Sequence, residues 1–176
     1  MAETDSSPAK RLPASAGRAH LALRLLTTMV SGLAAGMIAA WPQSSGVFPV
    51  GIGSLAAGAI LAVLLVGSMA ILSLGVPRWP AALLASAAAV ASQHYSLYVA
   101  AMRVLQKAVA AQPAAEVFRP GWAEQSFWQF MQREATPEMA AYWLLDAGLL
   151  AAAAVVIVEY NARRRAATAA SAASPH

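Results

Sequence analysis

From Phe48 to Val76 the chain runs without one charged side chain. A helix over 48–76, at ~1.5 Å per residue, is longer than the ~30 Å hydrocarbon layer of a bilayer, so it tilts or starts within the interface. Pro49 suits the first helical turn of such a span. Gly75 suits its C-terminal cap, with Pro77 just beyond. Composition settles which solvent the run faces. Hydrophobic residues make up 59% of the 176 residues and charged residues 11%, where a soluble domain carries about 45–50% and about 25%. Too little charge remains to cover a soluble surface, and an integral membrane protein follows.

Three further apolar runs predict helices over 21–41, 80–105 and 137–160. In the first, Arg24 lies in the opening turn and can extend its guanidinium to the headgroups. Trp41-Pro42 is expected to end it, with the indole at the interface. A secretory signal peptide is the rival reading of this run. Its core is long, however, and neither Met37-Ile38-Ala39 nor Ile38-Ala39-Ala40 has a small residue third before cleavage. The third helix opens at Pro80, after the turn Val76-Pro77-Arg78-Trp79. The fourth has a capping Thr136, Pro137 at its first position and Glu138 at the positive end of its dipole. Asn161 and the triplet Arg163–Arg165 are expected to stop it. Residues 1–19 and 162–176 read as disordered tails, leaving a membrane domain over 20–161.

The segment 106–136 is the sizeable stretch outside the membrane. Over 122–134 helical spacing puts Phe127, Trp128, Phe130 and Met131 on one broad face, away from Glu124, Gln125, Gln132 and Arg133. A short aromatic helix of this kind lies flat at the membrane surface. Its alternative is an apolar face that docks on another protein.

Ridges of small residues bear on how the spans pack. Gly32 and Gly36 are four apart, as are Ser54, Gly58 and Ala62. Small residues let backbones approach in lipid, where packing drives association. The expectation is that helix one packs on helix two, rather than that the ridges form a dimerisation motif. With four spans both termini share one side. Lys10, Arg11, Arg18, Arg24, Arg78 and Arg163–Arg165 make eight positive charges there, against four (Arg103, Lys107, Arg119, Arg133) opposite. The bias predicts cytoplasmic termini. The net charge of +4 forms no basic stripe interleaved with aromatics, so no nucleic-acid partner is expected. Cysteine is absent, which excludes disulfides, thiolate metal sites and thiol nucleophiles.

The apolar spans carry one polar cluster. Ser92-Gln93-His94-Tyr95-Ser96-Leu97-Tyr98 interrupts the third helix, and Asp146 interrupts the fourth. Consecutive helices run antiparallel and touch. Counted from their shared end, His94 and Asp146 both fall ~12–15 Å into the membrane. A carboxylate at that depth is expensive and normally paired. A His94–Asp146 pair is therefore expected, with Gln93 and Tyr98 as secondary partners. Three roles compete for it: a structural link between helices, a proton or ion relay, and an axial haem position at His94. Haem lacks a second strong ligand, since His20 and His176 lie outside the spans. No cofactor or metal is expected, and no catalytic residue stands out, because no nucleophile elbow or metal motif is present.

The sequence thus predicts an all-α integral membrane protein of the cell (inner or plasma) membrane, with four transmembrane helices and one interfacial helix. Its expected role is non-enzymatic, as a structural or accessory subunit that associates with a membrane protein partner or with itself. The alternative is a transporter or redox subunit that uses His94 and Asp146.

Overall fold

The computed structural model describes residues 14–44, 51–110 and 126–173. These form five helices and, among the described residues, no strand: α1 (Ala14–Ser44), α2 (Ile52–Ile71), α3 (Trp79–Ala110), α4 (Phe127–Glu134) and α5 (Pro137–Ala173). Four long helices make a bundle. α1 packs on α2 and α3, and α5 packs on the same two from the other side. Among the described residues, three helices are long and apolar enough to cross a membrane: α1 over Gly17–Pro42, α2, and α5. α3 has the length, at 32 residues, but Ser86, Gln93, His94, Tyr95 and Tyr98 lower its hydropathy. Ser86 and Gln93 are buried in the bundle.

The two closest approaches join helices that run the same way. Gly32 faces Ala85 and Ala88, and Gly36 faces Ala89 and Ser92. The two registers rise together, so α1 and α3 lie parallel. A Cβ on Gly36 would strike the carbonyl oxygen of Ala89 and come within 2.8 Å of Ser92 Cβ. Gly58 plays the same part between α2 and α5, against Leu150 and Ala153. Ser54 and Ala62, one turn to either side on α2, are buried as well. Helix one does pack on helix two, but the glycines of the small-residue ridges close onto α3 and α5. The physical reason is that close approach needs small residues on both helices. α3 supplies Ala82, Ala85, Ala88 and Ala89 along its inner face. α1 and α2 are joined instead by the Ser31–Ser68 hydrogen bond of 3.1 Å. Ser68 gives its own proton to Leu65 O at 3.3 Å, which leaves Ser31 as donor.

Several helix ends differ from expectation. α1 runs past Trp41-Pro42 to Ser44, because a proline in the last turn removes a single helical hydrogen bond. α2 stops at Ile71, before Gly75. Ser73 there takes the left-handed conformation (φ 53°). Leu74 N–H reaches back to Met69 O at 2.9 Å, and Ser73 N–H to Ala70 O at 3.1 Å. This is a Schellman motif with serine where glycine is usual, and its Met69–Leu74 pair is buried. α5 does not stop at Asn161. It continues through the arginine triplet to Ala173, since residues 161–173 are mostly alanine and hold neither Gly nor Pro. Asn161 turns its amide back to Ile157 O at 3.1 Å instead of breaking the helix. The expected tail at 162–176 is thus helical as far as it is described, and 14–19 belong to α1. Residues 1–13 and 174–176, the α1–α2 turn with Pro49, and 111–125 with the start of the 122–134 helix, lie outside the described residues.

Candidate functional site

His94 stands one turn after Val90 on α3, and its Nδ1 lies 2.8 Å from Val90 O. A carbonyl can only accept, so Nδ1 carries the proton and Nε2 of the neutral ring is an acceptor. The ring meets Trp143 of α5 edge-on, with centroids 5.3 Å apart and planes at 88°. His94 therefore does touch the fourth long helix, but at Trp143.

Asp146 lies three residues further along α5. Its Oδ1 is buried and has no hydrogen-bond partner. No hydrogen bond or ion pair joins it to His94 among the described residues, so the expected pair is not made. Depth alone placed the two together; azimuth separates them. The α5 positions that share an open face with His94 are Ala140, Trp143, Leu144, Ala147 and Ala151, and Asp146 is not among them. It sits instead one turn before the buried Leu150, which packs on α2 through Gly58.

Of the expected secondary partners, Gln93 is buried. Tyr98 packs its ring on Phe127 and Phe130 of α4, at centroid distances of 5.5 and 5.4 Å, and Tyr95 meets Phe127 at 5.6 Å. This aromatic cluster holds α4 on α3. α4 begins with a capping box, in which Ser126 and Gln129 satisfy each other's backbone N–H groups. Phe127 and Phe130 face α3, while Trp128 is 68% exposed.

Between α3 and α5, roofed by Phe127, Trp128 and Met131 of α4, lies a lateral groove of about 740 Å³. Its α3 wall climbs from Leu83 through Ser86, Ala87 and Val90 to His94. Two of these are polar. Ser86 is buried and donates to Ala82 O at 2.8 Å, whereas His94 is half-buried and its Nε2 makes no hydrogen bond among the described residues, so Nε2 is the more accessible acceptor on this wall.

A second polar arrangement, at the other end of the bundle, is one the sequence reading missed. Glu159 of α5 accepts a 2.9 Å hydrogen bond from Trp79 N–H, at the start of α3, and lies 3.7 Å from the Arg78 guanidinium. A carboxylate there meets the unsatisfied N–H groups and positive dipole end of α3. The available signal was a helix start at Arg78-Trp79-Pro80 without an acid of its own. Ser92 likewise ties α3 to α1, donating to Leu33 O at 2.9 Å. Among the described residues, no three His, Asp or Glu side chains gather as a metal site would require.

Compared with protein-family models, curated proteins and solved structures, the chain matches none.

Proposed function

We propose that the protein is a non-enzymatic subunit of the cell membrane, structural or accessory, built on four spans with both termini in the cytoplasm. The observation that carries the reading is where the large side chains lie. Val63 and Leu144 are 68% and 76% exposed, while Ala82, Ala85 and Ala154 are fully buried. Water would punish such an outer surface, whereas lipid accepts it, and small residues inside are what helix packing in lipid selects. α3 touches α1, α2 and α5, which supports its crossing with them despite its polar groups. The polar side chains also support a structural role. Ser31, Ser92 and Glu159 bond helix to helix rather than converging on an open space.

The chain has no cysteine, so single cysteines can be introduced directly. In oriented membranes, Ala19→Cys, Ser73→Cys and Ala166→Cys are expected to react with a membrane-impermeant maleimide from the cytoplasmic side. Lys107→Cys and Ser126→Cys are expected to react from the other side. Labelling of Ser73→Cys and Lys107→Cys from the same side would show that α3 does not cross.

A second reading rests on Asp146, whose Oδ1 is buried without a partner. An intramembrane carboxylate left in this state is costly and is typical of proton or ion paths. On this reading Asp146→Asn removes proton-driven uptake or release in vesicles and leaves folding unchanged. On the structural reading the same variant changes at most thermal stability.

A further inference from the structure

The groove between α3 and α5 has a polar end and an apolar end. At the α4 end His94 stands beside Trp143 under the Phe127–Met131 roof. From there the α3 wall descends through Val90 and Ala87 to Leu83, three helical turns whose one other polar side chain, Ser86, is buried and donates to Ala82 O. His94 Nδ1 is committed to Val90 O. Nε2 makes no hydrogen bond among the described residues and is left as an acceptor. A site with one acceptor at the head of an apolar channel matches a molecule with one donor at the head of an apolar chain. Its volume of about 740 Å³ lies within the ~300–1,000 Å³ range of small-molecule sites.

We infer that this groove binds a membrane-soluble alcohol or phenol, its hydroxyl donating to His94 Nε2 and its chain lying along Val90, Ala87 and Leu83. The exposed alanines at 87 and 91 give the chain its room, and Trp143 fixes the imidazole edge-on so that Nε2 keeps its aim. The inference rests on α3 and α5 lying in the bilayer. The cysteine map tests that separately, so failed binding in a confirmed four-span protein counts against the groove alone.

The test uses the full chain in nanodiscs. Trp128 and Trp143 both line the groove, so a long-chain alcohol brominated along its chain reports its own binding by quenching them. The paired Ala87→Leu and Ala91→Leu variant, which fills the groove from exposed positions, supplies the blank. Saturable quenching is expected for the alcohol in the native chain and not in the filled variant. His94→Ala is expected to weaken it roughly 2- to 10-fold, the worth of one net hydrogen bond. The methyl ether of the same alcohol accepts but cannot donate. It should bind as weakly to the native chain as the alcohol binds to His94→Ala. Equal binding of ether and alcohol, an unchanged affinity in His94→Ala, or quenching that never saturates above the blank would each overturn the inference. Unchanged thermal melts of the variants keep a folding defect from passing for lost binding.

Discussion

Ser73 holds a backbone conformation that costs a side-chain-bearing residue roughly 1–2 kcal/mol, and it does so at an exposed turn. Glycine would remove that cost and return part of it as chain entropy, of order 0.5–1 kcal/mol. Ser73→Gly is expected to stabilise the protein by about 0.5–1 kcal/mol, seen as a higher melting temperature in detergent; a lower one would mean that the serine hydroxyl has a role of its own. Sequence reading put this cap at Gly75. Gly75 also has positive φ, at 86°, but the helix has already closed. The polar pair shows the same limit. The positions of His94 and Asp146 along their helices follow from the rise per residue. Their azimuth depends on how α3 and α5 cross, and no local pattern carries that. Trp143, which meets His94, was read only as part of an apolar span.

At the scale of the element, four long helices and the short α4 could be read from composition and period. Their ends could not. Pro42 and the arginine triplet looked like stops, yet a proline in a last turn is cheap and an alanine-rich tail is a strong helix former. The partners of the glycine ridges were equally hidden, because a ridge shows that something comes close without showing what. Two kinds of glycine now separate. Gly36→Leu drives a side chain into the α3 backbone, which cannot rotate away, and is expected to cost about 3 kcal/mol. Gly67 and Gly148 have nothing within 4 Å of an added Cβ. Gly67→Ala and Gly148→Ala are expected to be neutral or to stabilise their helices by up to about 1 kcal/mol. Thermal melts followed by circular dichroism would distinguish the sets, and equal effects would refute the parallel packing.

Among the described residues of the whole molecule, many large apolar side chains lie outside, while alanine, glycine and serine line the helix seams around a few buried large ones, Leu61, Leu65, Met69, Leu150 and Val158. Composition predicted that the protein meets lipid, and the exposed large apolar side chains support it. Composition did not predict the arrangement of the bundle. α1 and α5 each pack on α2 and α3. Locking groups occur along the bundle, from the Glu159 carboxylate at the start of α3 to Ser92 near its middle. The roofed groove lies toward the far end.

The parallel pairing of α1 with α3 bears on how the chain is made. Gly36 of α1 leaves the ribosome about 50 residues before Ala89, the backbone it closes on, and at roughly 5–20 residues per second that interval is about 3–10 s. Ser68, which bonds Ser31 in the finished fold, follows Gly36 by about 30 residues, so the glycine seam of α1 stands open for the whole interval and α2 joins it only in the later part. During that window a neighbouring nascent helix competes with α3 for the same seam, and the pace of synthesis becomes part of what selects the correct partner.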